Sequence, residues 1–401
     1  MRSTYLTRYA YPVKFISEPP PKDLGIIITI PCFNEPNLIL TLDSLKECSL
    51  PNCAVEIIVV INEAKNAPEN VRRQNQHSQR DGQAWCQANN AHQFNTHILY
   101  CDGLPTKHAG VGLARKIAMD EAVRRFEAIG NPNGIIACFD ADSTCQNNYL
   151  VELEKHFRDN KKSPGCSIYF EHPLENEPIA YYELFLRYYV NALRYAGFPY
   201  AYQTIGSSMA VRSWAYLKQG GMNRKKAGED FYFLHRIIPL GDFSELNSTM
   251  IIPSSRKSDR VPFGTGRAMM DWEARSKDLT KTYNPKSFED LKILFDQVDR
   301  LYQNDPDYLP NSLREFLSPE FYTQLQRLRK QSKSVIAFRK HFFGWFDGFK
   351  VLKFIHFARD EYFSNVKLTE AAEWLFIKKN LAAQNNVEGY LLKLRIADKG
   401  D

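Results

Sequence analysis

Ile26-Ile27-Ile28-Thr29-Ile30-Pro31-Cys32-Phe33-Asn34-Glu35 is the stretch from which the rest of the chain is read. Its first five residues are β-branched and do not alternate apolar with polar, the pattern of a strand buried on both faces. Such a strand belongs to a parallel sheet covered by helices. The residues after it change character at once, because proline, asparagine and glutamate close the run in a polar tip. Open α/β sheets bind ligands at such tips, at the carboxyl ends of their strands.

Further strand-length runs lie at 55–61, 96–101, 134–139 and 166–170, with helix-length segments at 37–47, 67–91, 111–129 and 148–158 between them. The alternation predicts an α/β fold, a mostly parallel nucleotide-binding sheet with helices on both faces. Beyond Pro178 a tyrosine-rich helix is expected over 180–200, ending at Gly197, then a strand at 206–212 and a helix at 229–238 closed by Pro239 and Gly241. From Ser287 onward the chain reads as helical: Ser287 with Asp290 resembles a capping box, ahead of Phe288, Leu291, Leu294, Phe295, Val298 and Leu301 at helical spacing. The expected organisation is a catalytic domain over 1–280 and a helical C-terminal domain over 281–401.

Composition narrows the classes of function. No apolar run approaches the ~20 residues that a membrane-spanning helix needs. The first eleven residues carry no apolar core of a signal peptide, so a cytoplasmic location is expected. The eight cysteines form no CxxC pair and lie near no histidine cluster, so they read as reduced structural thiols rather than zinc ligands. The formal net charge of +6 is concentrated: 321–360 holds nine Lys/Arg against two acids, a net +7, leaving −1 for the rest.

Asp140-Ala141-Asp142 follows directly on the apolar run Ile135 to Phe139. Residues two apart on an extended chain point the same way, so both carboxylates can converge at the sheet's carboxyl edge. A carboxylate pair there suits a hard divalent cation that also takes phosphate oxygens. An Asp-x-Asp alone is more often a helix cap beside a solvated acid; its place after a buried strand favours the site. Gly228-Glu229-Asp230 opens the helix expected at 229–238, where acids suit the helix dipole. In the functional reading Asp230 is a general base.

The order of these elements resembles the family 2 glycosyltransferases of the GT-A fold, over roughly residues 25–240. Ile26 to Glu35 resembles the family's first strand and its Pro–Asn–Glu tip, and Gly110 to Ala118 the glycine and Ala-Arg helix beside the donor diphosphate. Phe139 to Asp142 matches the Asp-x-Asp motif. Gly206 to Arg212 resembles the strand along the acceptor side. Gly220-Gly221-Met222, followed by Gly228-Glu229-Asp230, matches the glycine pair and catalytic acid.

The resemblance implies an inverting transferase that moves one sugar from a nucleotide-diphosphate donor to an acceptor hydroxyl in glycan or glycolipid (cell-surface polysaccharide) synthesis. It implies a Mg²⁺ or Mn²⁺ ion held by Asp142 with help from Asp140, which also borders the donor, and Asp230 as the base beside Glu229. Pro31, Asn34 and Glu35 would line the nucleoside pocket, and Lys107, Gly110 and Arg115 would face ribose or phosphates. Two departures stand out. Where many members carry adjacent aspartates after the second strand, this chain has Asn62-Glu63-Ala64; Glu63 can still accept from base or ribose, but the nucleotide is not fixed. The Gln-x-x-Arg-Trp motif of polymerising members is replaced by Phe233-Leu234-His235-Arg236-Ile237, which points to single transfers.

Downstream, Arg260 and Arg267 frame Gly264-Thr265-Gly266, a loop suited to closing over the donor or an anionic acceptor. Gly110-Val111-Gly112 is no dinucleotide fingerprint, since Arg115 stands where the third glycine belongs. The segment 321–360 interleaves ten aromatic residues with its nine basic ones. It reads either as a helical subdomain with its aromatics packed inward or as a peripheral contact with the inner face of a membrane, near a lipid-linked acceptor. No nucleic-acid module surrounds it. Two other functions remain open: a catalytically silent nucleotide-sugar-binding or scaffold protein, and a sugar-phosphate nucleotidyltransferase, whose glycine-rich loop is absent after the first strand.

Overall fold

The protein was analysed as a computed structural model that describes residues 3–258 and 264–400. The chain divides into two compact units. One takes residues 1–175 with 204–271, and the other 176–203 with 272–399.

The first unit holds an eight-stranded sheet. Its strands are β1 (Leu24–Cys32), β2 (Ala54–Ala64), β3 (Phe94–Leu104), β4 (Ile135–Cys138), β5 (Thr144–Cys145), β6 (Gly165–Phe170), β7 (Met209–Arg212) and β8 (Ser244–Ile252), in the order β3-β2-β1-β4-β7-β6-β8-β5. The half built from β3, β2, β1 and β4 is wholly parallel. Beyond β4 the sheet is mixed: β7 runs antiparallel to both β4 and β6, β8 runs parallel to β6, and β5 pairs antiparallel with β8. Strand β8 was not visible in the sequence, because Ser-Glu-Leu-Asn-Ser-Thr is too polar to look like a strand and only Leu246, Thr249 and Ile251 are buried.

Pro31 has a physical reason to be where it is. Strand β4 pairs with β1 only from Ile26 to Thr29, and the Phe139 amide donates to the Thr29 carbonyl at 3.0 Å. Residue 31 faces the same side as residue 29, past the last β4 pair, where a missing N–H costs no ladder bond.

One face of the sheet packs Ile26, Ile28, Ile57 and Val59 against the helices α2 (Leu38–Lys46), α3 (Glu69–Asn89) and α5 (Tyr149–Asp159) through Leu42, Trp85 and Leu153. The other face carries α4 (Val111–Ala128), which buries fourteen of its eighteen residues, Arg115, Asp120 and Glu121 among them. A polar N-terminal strap makes that burial tolerable. The Tyr5 hydroxyl, from α1 (Thr4–Arg8), and the Tyr11 amide each donate to Asp120 at 2.7 Å, and the Ile16 amide donates to Glu121 at 3.2 Å. Arg125 forks onto the buried Glu56 of β2.

The second unit is helical, built from α6 (Glu177–Tyr195) and a run of helices that includes α10 (Pro285–Asp296), α12 (Glu320–Gln331), α13 (Val335–Trp345), α14 (Gly348–Glu361), α15 (Leu368–Lys378) and α16 (Val387–Lys399). The start of α10 differs from the capping box expected at Ser287. Asn284 is the cap, its side chain accepting from the Lys286 amide at 3.0 Å. Ser287 lies inside the helix with a buried hydroxyl, and Asp290 takes a hydrogen bond from Ser312 instead. The aromatic stripe at 321–360 turns inward: Phe338, Phe342, Phe346 and Phe354 are fully buried. Arg327, Lys330, Lys333 and Lys340 stay exposed around Ile336, which is 83% exposed. Among the described residues no helix is long and apolar enough to cross a membrane.

Candidate active site

Four elements of the first unit end at one place, the carboxyl edge of β4. The strand carries Asp140 out of the core, and the turn after it is fixed from both ends: the Ser143 amide donates to the Asp140 carbonyl at 3.1 Å, and the Thr41 hydroxyl of α2 to the Ser143 carbonyl at 2.9 Å. Helix α4 supplies Arg115 from its second turn. Helix α8 (Glu229–Ile237) supplies Glu229 and Asp230 from its first turn, where the dipole favours acids, after Gly228 takes a left-handed φ of 67°.

Arg115 is the hub. Its side chain is 2% exposed; Nη2 donates to Asp140 Oδ1 at 3.0 Å, Nε lies 3.3 Å from Glu229 Oε1, and Nη1 donates to the Gly206 carbonyl. Gly206 is tightly placed, since a Cβ on it would lie 2.8 Å from Arg115 Nη2 and 3.1 Å from Asp230 Oδ2. Asp230 Oδ1 accepts from the Phe231 amide at 2.7 Å. One guanidinium therefore faces three carboxylates. Burial pushes the Glu229 carboxyl up to about 7, with Arg115 opposing and Asp230 reinforcing the shift. Burial raises Asp230 as well, against the pull of Arg115. The surrounding carboxylates hold the Arg115 proton more firmly than an ordinary guanidinium holds its own.

A second guanidinium, unnoticed in the sequence, closes the neighbouring side. Arg256 Nη2 lies 2.5 Å from Glu35 Oε2 and 3.7 Å from Asp142 Oδ2. Glu35 is fully buried and also accepts from the Asn37 amide at 2.8 Å. Arg256 follows β8, so missing that strand meant missing the residue.

The third group lies at the tips of β2 and β3. Glu63 Oε2 accepts from Tyr100 at 2.6 Å and Asn75 at 3.2 Å, with Arg72 3.8 Å from its other oxygen. Asn75 Oδ1 in turn accepts from the Asn34 amide at 2.9 Å, which fixes Asn34 at a φ of 49°. Asparagine tolerates that left-handed conformation better than most residues. Tyr100, Asn75 and Arg72 had no signal in the sequence beyond their helical or strand periodicity.

The structure thus gathers Asp140, Arg115, Glu229 and Asp230 in one group, Glu35 and Asp142 around Arg256, and Asn34 and Glu63 through Asn75. Pro31 is half-buried in β1, and Lys107 is exposed in the turn before α4. Gly110 and Gly112 serve the loop before α8: a Cβ on Gly110 would lie 3.1 Å from Lys226 Cα, and one on Gly112 would strike the Lys225 carbonyl. Arg260 lies outside the described residues. Arg267 pairs with Asp271 at 2.8 Å, and His235 hydrogen-bonds the Phe231 carbonyl at 2.8 Å.

A divalent cation would find two carboxylates here, Asp140 with a side chain 39% exposed and Asp142 at 20%. Among the described residues no group of three or more His, Cys, Asp or Glu forms a cage. Two carboxylates fit an ion of the Mg²⁺ type that takes its remaining ligands from phosphates and water.

No family model and no curated protein matches the chain. Among solved structures it is similar to residues 1–349 of TarS from S. aureus in complex with UDP-GlcNAc, at 13% identity over 94% of this chain and 92% of that one, with a TM-score of 0.40. It is likewise similar to the mannosyltransferase PcManGT from Pyrobaculum calidifontis in complex with GDP-Man and Mn²⁺, at 13% identity over 95% and 88% of the two chains, TM-score 0.40.

Proposed function

We propose that the chain is a GT-A-type, inverting glycosyltransferase that moves one sugar from a nucleotide-diphosphate donor to an acceptor hydroxyl. The observation that carries the reading is the group of three carboxylates around one buried arginine at the carboxyl edge of β4. Carboxylates gathered and buried at a strand tip are costly, and such a group is suited to a cation, a proton or a substrate.

The roles divide by geometry. Asp230 has one oxygen tied to a backbone amide and the other beside Gly206, so it is the group that takes the acceptor's proton. Burial raises its pKa, which makes it a stronger base than an ordinary aspartate; a positioned general base contributes ~10²–10⁴ in rate. Glu229 is almost fully buried against Arg115 and orients that guanidinium rather than touching substrate. Arg115 in turn fixes Asp140. Asp140 and Asp142 hold the divalent ion, which when bound offsets the charge of the leaving diphosphate. Glu63, Asn75 and Asn34 frame the nucleoside pocket, and Arg256 and Lys107 reach the phosphates. Arg260 remains a donor-loop candidate on sequence alone.

The acceptor is proposed to be lipid-linked, with a cytoplasmic enzyme resting on the inner membrane face through Arg327, Lys330, Lys333 and Lys340 around Ile336. With Phe338, Phe342, Phe346 and Phe354 buried, charge rather than insertion of these rings carries that part. Absence of flotation with anionic vesicles removes it.

The deciding experiment is calorimetric titration with UDP, GDP, CDP and dTDP, with and without Mn²⁺, repeated on Asp142→Ala. Metal-dependent binding of one nucleotide, lost in the variant, is the expected result. No binding to folded protein transfers the weight to a scaffold.

A further inference from the structure

Outside the candidate site, two cysteines from distant parts of the chain touch. Cys48 follows the C-terminal end of α2, Cys145 forms half of the two-residue strand β5, and their Sγ atoms are 3.6 Å apart. Both are free thiols. The backbones beside them are already tied together. The Ser49 amide donates to the Asn147 carbonyl at 2.8 Å, the Cys145 amide to the Ser44 hydroxyl at 3.0 Å, and the Asn147 side chain to the Glu47 carbonyl. A disulfide needs sulfurs ~2.05 Å apart. The remaining movement falls on β5, which is short, pairs only with β8 and ends the sheet.

We propose that Cys48 and Cys145 are a reversible disulfide site that staples α2 to the edge strand behind the Asp140–Asp142 turn. The co-reactant is a low-molecular-weight disulfide. One thiolate attacks it, forms a mixed disulfide and expels the first carrier thiolate. The second cysteine thiolate attacks the mixed disulfide at the protein sulfur and expels the other carrier thiolate. The two cysteines lose two electrons and two protons, and the carrier disulfide is reduced to two thiols. The contact lowers the Cys48 thiol below its ordinary value and raises Cys145 above its own, so Cys48 is the first to attack, and Cys145 is released from that contact once Cys48 is in the mixed disulfide.

The site also has a mechanical consequence. The cross-link closes a long loop that contains β2, β3, α3, α4 and β4, so it restricts the unfolded chain strongly. Cys145 lies three residues beyond Asp142, so the staple anchors the far end of the carboxylate turn. The proposal does not depend on the transferase reading.

The test uses the full chain incubated with oxidised glutathione, alkylated, and digested without reductant. The expected result is loss of two of the eight thiols, an intact mass lower by about 2 Da, and a linked peptide pair containing Cys48 and Cys145. In Cys48→Ser the paired loss disappears. The linked form melts about 5 °C higher, and dithiothreitol reverses the gain. No linked pair in the wild-type digest, or a paired thiol loss that persists in Cys48→Ser, overturns the site. A linked form that melts no higher overturns the staple.

Discussion

Arg115 in the sheet unit and Arg187 in the helical unit are both buried guanidinium groups, and their surroundings differ in one respect. Arg187 sits between two acids, beside a second arginine. It donates to Glu183 at 2.8 Å and Asp398 at 2.7 Å, and Arg395 forks onto the same Glu183 at 2.9 and 2.7 Å. Asn191 adds a bond to Asp398 at 2.9 Å. Among the described residues, two arginines and Lys379 meet two acids there, and around Arg115 one arginine faces three. The helical cluster ties α6 to α16. In the sheet cluster burial, reinforced by the neighbouring carboxylates, raises the Glu229 and Asp230 carboxyls. Balanced burial marks architecture, and unbalanced burial marks a place kept for something else.

The sharpest way to break this contrast is to neutralise an acid in each cluster. Asp230→Asn should lower turnover by ~10³-fold with melting unchanged or raised, since it removes surplus charge. A variant that loses stability along with activity would make the site cluster structural. Glu183→Ala should do the reverse, costing ~3–5 kcal/mol in urea unfolding because two guanidinium groups lose their shared partner. Nucleotide affinity of the folded fraction should not change. Arg256→Ala tests whether the neighbouring guanidinium belongs to the site: affinity for the diphosphate should fall ~10-fold, the worth of one charge-assisted contact.

Glu229 gives a finer test, in pH. Burial pushes its carboxyl up to about 7 in the folded chain, from an ordinary 4.5. Between those values the folded state binds more protons than the unfolded one. The stability from this group is therefore complete below the lower value and lost as pH rises through the upper one. Glu229→Gln should flatten stability across that window, as read from melting at stepped pH. The smallest effect belongs to Ser287→Ala, within ~0.5 kcal/mol in the same unfolding assay, since its buried hydroxyl has no partner to lose.

The parallel half of the sheet was legible because β1 and β2 are runs of β-branched residues ending in polar tips, and helix-length segments separate strand-length runs on either side. The starts of α4 at Val111 and α8 at Glu229 were legible from the glycines before them. The Asp140 position followed from the apolar run before it, and Asp230 from the start of α8. What escaped was set by tertiary partners. Strand β8 is polar because only Leu246, Thr249 and Ile251 meet the core. Arg256 matters only because the chain brings it back to Glu35. Asn284 outcompeted Ser287 because Pro285 already fixes the first helical residue. The aromatic stripe at 321–360 had two readings; Phe338, Phe342 and Phe346 pack inside, and Tyr322 stays exposed.

The strap over α4 has a bearing on time rather than energy. A helix covered on the sheet side by β1 and β2 and on the other by Tyr5, Tyr11 and Ile16 can shed its amide protons to heavy water only when the strap lifts or the unit opens. Its amides should be among the slowest in the molecule to exchange. A single proteolytic nick between the strap and β1 would turn this inner helix into an outer one, and the exchange clock of α4 would register the cut before any spectroscopic change in the sheet.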